Sequence, residues 1–174
     1  MKFLEKDLEQ IIYETEPLEL CKRGIYFLDG KALRQLRIGN YGVADLVYFN
    51  RELTTMDNKF EPFLNINIVE LKKDKIGISA LLQSVNYLKG IKSYIEQRKP
   101  KLHVSYNITL IGKTIDTSGS FIYLTDIINA GDCFGFNEFN SLSKLSYYTY
   151  DYNIDGLKFK SHCNYTLKDE GFKL

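Results

Sequence analysis

Residues 64–73 read Leu-Asn-Ile-Asn-Ile-Val-Glu-Leu-Lys-Lys, a nearly continuous apolar run that closes on Glu70-Leu71-Lys72. Side chains alternate across a strand, so Glu70 and Lys72 share one face and Leu71 takes the other. Upstream, Val43-Ala44-Asp45-Leu46-Val47-Tyr48-Phe49 is a second apolar run holding a single acid, Asp45. Charges at the end of a buried strand are costly to desolvate, and folding alone gives no reason to put them there. An Asp from one strand and a Glu-x-Lys from its neighbour suit another task. Together they can bind a divalent cation and hold the water that attacks a phosphodiester.

The chain of 174 residues, 44% hydrophobic, is long enough to bury a sizeable core, and its length favours one domain over residues 1–174. A formal charge of +1 argues against a non-specific polyanion binder, but the charge is unevenly spread. Lys2 and Lys6 face Glu5, Asp7, Glu9, Glu14, Glu16 and Glu19 in the first twenty residues. Lys72, Lys73, Lys75, Lys89, Lys92, Arg98, Lys99 and Lys101 face only Asp74 and Glu96 in residues 72–101. That basic stretch follows the Glu-x-Lys strand directly, where it can line a phosphate backbone or form a solvated helix face. Cys21, Cys133 and Cys163 are odd in number and widely spaced, which fits a reducing compartment. His103, His162 and Cys163 lack the ligand spacing of a zinc site. No apolar run reaches membrane-spanning length, and acids interrupt the N-terminus at once, so a soluble, cytoplasmic protein without membrane contact is expected.

The periodicity predicts an amphipathic helix over 4–15, ended near Pro17, with Glu5 and Glu9 one turn apart on a face away from the apolar stripe. A short strand is expected at 24–28 and a turn at Asp29-Gly30. A mixed stretch through Leu33, Leu36 and Ile38 leads to a further turn at residues 39–42. Strands follow at 43–49 and 65–71, separated by a polar, irregular segment at 50–62. A helix over 78–97 carries Ile78, Leu81, Leu82, Val85, Leu88, Ile91 and Ile95 as one stripe. Gln83 and Tyr87 stack one turn apart on its flank. A third core strand is read at 103–112, a helical or extended segment at 121–128, and a closing tyrosine-rich hairpin at 145–159 turning at residues 153–156. An apolar helix between apolar strands implies a parallel crossover, hence an α/β sandwich on a short mixed β-sheet.

Asp45, Glu70-x-Lys72 and Gln83-x-x-x-Tyr87 in this order resemble the PD-(D/E)xK nuclease superfamily. The text is similar to the branch holding RecB-type exonuclease domains and NucS/EndoMS-like catalytic domains. The similarity covers residues 3–113 and includes Glu5 in Glu5-Lys6-Asp7-Leu8-Glu9, Arg34-Gln35-x-Arg37, and Gly42-x-x-Asp45. It implies a restriction-endonuclease-like α/β/α sandwich and a Mg²⁺-dependent (or Mn²⁺-dependent) nuclease acting on DNA. Asp45, Glu70 and the Leu71 carbonyl would be metal ligands and Lys72 the catalytic lysine. Gln83 would organise the site, while Tyr87, Lys73, Arg34 and Arg37 would contact substrate. Glu5 would be the helix carboxylate reaching towards the metal, with Glu9 the competing choice. Ala44 stands where a Pro is frequent, and nothing corresponds to the separate DNA-binding domain of NucS-like enzymes. One site cuts one strand, so duplex scission implies a homodimer, a partner subunit or two encounters. Two alternatives stay open: a catalytically inactive module of this fold that binds nucleic acid or a partner protein, and a nuclease acting on RNA or cyclic nucleotides. Tyr147, Tyr148, Tyr150 and Tyr152 can stack bases, but an aromatic strand is more often core.

Overall fold

The computed structural model describes residues 4–26, 28–56, 59–100, 102–130, 142–154 and 156–162. Cys133, Cys163, Asp155, Lys2 and Lys101 lie outside them. The chain is mixed α/β, built on one six-stranded sheet of order β1-β2-β3-β5-β7-β8. Its strands are β1 (Lys31–Arg37), β2 (Val43–Met56), β3 (Lys59–Leu71), β5 (His103–Gly112), β7 (Leu142–Asn153) and β8 (Gly156–Ser161). A two-stranded ribbon of β4 (Lys75–Ile76) and β6 (Thr114–Ile115) sits apart from it. β1, β2 and β3 are antiparallel neighbours, β3 and β5 are parallel, β5 and β7 are parallel, and β8 returns antiparallel. The parallel step from β3 to β5 is the crossover that the apolar helix α3 (Ile78–Arg98) makes possible.

Helices cover both faces. From α1 (Glu5–Glu14), Leu8 and Ile12 pack with Leu20 of α2 (Pro17–Lys22) on Leu46, Tyr48, Val69 and Leu71. From α3, Tyr87 and Ile91 pack on Val47, Ile66 and Ile68 of the opposite face. Phe121 of α4 (Gly119–Ala130) joins Ala80, Leu81, Ile108 and Leu110 further along. Burying a Leu or Ile stabilises by about 1.5–3 kcal/mol, so these clusters fix which face of β3 looks at which helix. Glu70 therefore faces the α3 layer, and Leu71 the α1 layer.

Several expectations change. The segment at 50–62 is not irregular: β2 and β3 run 14 and 13 residues and pair from Leu46 opposite Val69 out to Met56 opposite Lys59. The sheet is thus not short. Its outer hairpin passes the last pairs made by β1 and β5, and Arg51, Glu52, Leu53 and Phe60 are exposed there, so no buried face imposes an apolar alternation. Pro17 does not merely stop a helix; it opens α2 at the first position, where its missing N–H costs nothing. Residues 24–26 and 28 form no strand. Gly24 takes φ +101° after α2, and Ile25 and Leu28 bury their side chains from irregular backbone. The remaining mixed stretch is β1, residues 121–128 lie inside a helix, and the closing hairpin pairs Asn153 with Gly156 as read. Tyr147, Tyr148 and Tyr150 are core, while Tyr152 is exposed. Among the described residues, no helix is long and apolar enough to cross a membrane.

The turn at Gly39–Tyr41 is clamped on α3. A Cβ at Gly90 would come within 2.5 Å of Ile38 Cγ2 and 2.6 Å of Tyr41 Cδ2. Alanine gains about 1 kcal/mol of helix propensity over glycine, whereas overpacking costs roughly 1–3 kcal/mol. Contacts of 2.5–2.6 Å put the overpacking cost at about 2–3 kcal/mol, so Gly90→Ala is expected to destabilise the fold by a net of about 1–2 kcal/mol, read as a lower urea midpoint at unchanged m-value. A midpoint equal to wild type would show that the turn is not held this way.

Candidate functional site

Asp45 lies just past the point where the β2–β3 ladder ends, at Leu46 opposite Val69. The Leu71 N–H donates to Asp45 Oδ2 at 2.9 Å, so the carboxylate caps a strand amide at the end of the ladder. Strand β2 also rotates across Asp45. Ala44 packs towards α3, while Leu46 and Tyr48, of the same parity, pack towards α1. A second irregularity sits opposite. Between the pairs Arg34–Leu46 and Leu36–Ala44, Gln35 takes φ +46°. A left-handed non-glycine residue costs on the order of 1–3 kcal/mol and persists only where its surroundings hold it.

Those surroundings are Glu9. Its carboxylate is 4% exposed, accepting from Arg34 Nε at 2.7 Å and from Gln35 Nε2 at 2.5 Å. The same Gln35 amide reaches Asp45 Oδ1 at 3.4 Å. Glu9 thus belongs to the buried side of α1, not to a solvent face. Glu5, one turn earlier, accepts from the Lys73 N–H at 3.1 Å. The two acids have separate partners: Glu5 braces the end of β3, and Glu9 braces β1 beside Asp45.

Glu70 is 1% exposed. Lys72 Nζ donates to Glu70 Oε1 at 2.5 Å and to Gln83 Oε1 at 3.4 Å, and Gln83 Nε2 donates to Tyr87 Oη at 2.6 Å. The α3 pair thus closes on the β3 pair. Glu70 Oε2 is buried with no hydrogen-bond partner among the described residues. Burial pushes the Glu70 carboxyl up to about 7, with the Asp45 charge adding to the rise and the Lys72 ammonium opposing it. Burial also raises Asp45, against the Leu71 amide bond that lowers it. For Lys72, burial acts downward, but the hydrogen bond and charge of Glu70, with Glu5 and Asp45, outweigh it and hold the ammonium above its ordinary value.

The structure therefore brings Asp45, Glu70, Leu71, Lys72, Gln83, Tyr87 and Glu5 together. Arg34 stands at the border, committed to Glu9 and stacked over the Tyr13 ring at 5.3 Å. The Lys73 backbone joins the site, its carbonyl accepting from Tyr150 Oη at 2.6 Å. Arg37 does not join; it lines a groove further along α3. Gln35 was missed as a site residue, because nothing in a glutamine's identity marks a left-handed backbone. Among the described residues, no group of three or more His, Cys, Asp and Glu side chains is arranged to hold a metal ion. The acidic donors at the site are Asp45 and Glu70, with Glu5 acting on both through its charge while its Oε2 accepts from the Lys73 N–H. No family model matches the chain, and neither a curated protein nor a solved structure matches it.

The buried carboxyl has a measurable consequence in the absence of divalent cations. A carboxyl raised in the folded state binds its proton more tightly there than in the unfolded chain. Its contribution is full below the unfolded value near 4.5 and is lost as pH rises through about 7. Asp45 shifts in the same sense. Relative to Glu70→Gln, wild type should lose on the order of 2 kcal/mol of stability between pH 5 and pH 8. Denaturant titrations of both proteins across that range check it, and parallel pH profiles would refute it.

Proposed function

We propose that this protein is a divalent-metal-dependent nuclease hydrolysing phosphodiester bonds, with DNA as substrate, on a restriction-endonuclease-like sandwich. The observation that carries the reading is the Glu70 carboxylate, buried beside Asp45 with one oxygen on Lys72 and the other without a hydrogen-bond partner among the described residues. A buried acceptor left unsatisfied costs about 1–3 kcal/mol, more when charged, and a cation between Asp45 and Glu70 would relieve both the orphan oxygen and the repulsion. Mg²⁺ is commonly held by one or two carboxylates while keeping several waters, so this donor set fits Mg²⁺ or Mn²⁺, with the Leu71 carbonyl a third ligand. When bound, the ion supplies charge stabilisation at the phosphoryl oxygens and a more acidic water.

The protein's own groups have distinct tasks in this reading. Lys72 keeps its proton at neutral pH, which suits orienting the water and stabilising phosphate charge better than abstracting a proton. Gln83 accepts from that ammonium and is itself tied to Tyr87, so α3 fixes the direction of the charge. Glu5 anchors the backbone at Lys73, and the Lys73 ammonium is assigned to the phosphate path. Gln35, held by Glu9, is a positioning residue that orients Asp45 directly through its amide.

Supercoiled plasmid, single-stranded DNA and RNA, each with Mg²⁺ or Mn²⁺, test the reading. DNA cleavage is expected, with Asp45→Ala and Lys72→Ala slower by at least about a hundredfold. A wild type that binds DNA but is as inert as both variants would refute the enzyme. Cleavage of RNA or cyclic nucleotides alone would refute the substrate. Gln35→Gly keeps the backbone conformation at no steric cost but removes the amide. It should raise the Mg²⁺ concentration for half-maximal rate by about 10-fold or more, with the rate at saturating Mg²⁺ less affected. An unchanged Mg²⁺ requirement would show that Gln35 does not position Asp45.

A further inference from the structure

Two turns along α3 from the site, a groove of about 560 Å³ opens between the helix, the Gly39–Tyr41 turn and the α3-facing side of β1 and β2. Its walls include Leu36, Tyr41, Phe49, Ile91 and Tyr94, and its lip carries Arg37. Arg37 is the one charged residue lining it, and it makes no ion pair among the described residues. Tyr94 is 54% exposed, with the Arg98 guanidinium stacked on its ring at 3.6 Å from the centroid. An apolar slot with aromatic walls, bordered by cations and free of lining acids, matches a ligand with flat apolar faces and an anionic backbone.

The groove and the site lie on the same helix, on either side of the turn at residues 39–42. Tyr87, Gly90, Ile91 and Tyr94 follow at helical spacing on one face of α3, and Tyr87 and Tyr94 are about 10 Å apart along the axis. Tyr87 closes the hydrogen-bond chain from Lys72, and Tyr41 packs on Gly90 between the two regions. A strand whose phosphate lies at Lys72 reaches the groove by passing over the outside of that turn, a span of about 10 Å.

The geometry points to a nucleobase-stacking subsite: Tyr94, Tyr41 and Phe49 receive an unpaired base of the DNA strand being cut, and Arg37 and Arg98 hold its phosphates. This inference rests on the nuclease reading and deepens it. A base in the groove must be unpaired, so the subsite confers preference for single-stranded or frayed DNA next to the scissile bond. Base-on-aromatic stacking is worth roughly 1–3 kcal/mol per base, and each phosphate contact adds about one to the salt slope.

Fluorescence anisotropy of the full chain with a labelled single-stranded oligonucleotide, and with the same sequence as duplex, in EDTA to prevent cleavage, separates the outcomes. Tyr94→Ala should weaken single-strand binding by about 5- to 100-fold and leave duplex binding within about twofold, while Tyr94→Phe keeps single-strand affinity. Arg37→Ala should lower the salt slope for the single strand by about one. Circular dichroism of each variant establishes that it is folded; Tyr94 is half out of the core, so truncating it spares the fold. A wild type that cleaves DNA while all groove variants bind like it overturns the subsite and leaves the nuclease standing. A wild type that neither binds nor cleaves nucleic acid overturns both. If Tyr94→Ala instead changes the oligomeric state in sedimentation velocity with DNA binding intact, the groove seats a second copy of the chain and the subsite is refuted.

Discussion

The bond from the Leu71 N–H to Asp45 Oδ2 joins what would otherwise be a broken seam in the sheet. Strand β3 keeps pairing with β5 as far as Leu71 opposite Ile111, but on its other side the ladder with β2 stops at Val69. The Asp45 side chain satisfies an amide that the departing backbone of β2 leaves behind. The carboxylate is thereby anchored close enough for its charge to raise the Glu70 carboxyl, and its second oxygen is left for Gln35. A fold requirement and a site requirement meet in one residue. Removing that side chain would strand an amide at the end of a core strand as well as delete a charge, so loss of function at Asp45 must be read beside a measurement of folding.

How far the sequence disclosed this follows from what each signal reports. Hydrophobic period reports burial, so β5, the inner part of β3 and α3 were legible where one or both faces are covered. The outer β2–β3 hairpin was not, because a ribbon without a buried face has no apolar alternation to display. Helix α2 was hidden by reading Pro17 as a stop when it serves equally as a start. The apolar text at 24–28 suggested a strand, yet Ile25 and Leu28 are buried from irregular backbone after Gly24 turns the chain. At the site, strand alternation pairs Glu70 with Lys72 and helical spacing pairs Gln83 with Tyr87, but only the resemblance of their order to a nuclease pattern joined these pairs to Asp45. The choice between Glu5 and Glu9 could not be made from spacing, since residues one turn apart face the same way. The structure gives each its own partner, and Glu9 owes its burial to Arg34 and Gln35 from a strand 25 residues away.

Helix α3 ties the site to the turn at residues 39–42. Gly42 at φ +115° brings the turn so close to the helix that an added Cβ would lie 2.8 Å from Tyr87 Cε1. Gly90 permits the same closeness one turn later, against Ile38 and Tyr41. With no side chain at either point, the tyrosines themselves become the contact surface. Tyr87 is fixed from below by the turn and from the side by Gln83, and Lys72 inherits that rigidity through Gln83. A helix packed less closely would leave the ammonium free to swing, with the rotamer entropy of an ordinary surface lysine.

Charge is the remaining constraint. Glu70 is almost wholly buried, Asp45 and Glu5 both raise its affinity for a proton, and Lys72 alone opposes them. If this cluster existed only to support the fold, it would be a poor solution: a well-packed apolar residue at position 70 would avoid the desolvation and leave no orphan oxygen. The arrangement becomes economical when a second positive charge is available. A proton supplies it at low pH and a divalent cation at higher pH, and the two compete for the same carboxylates. Competition of that kind ties cation affinity to pH through Glu70 and Asp45, while Lys72, held above its ordinary value, stays charged throughout the same range. The lysine therefore contributes a constant field, and the carboxylates are the variable part of the site.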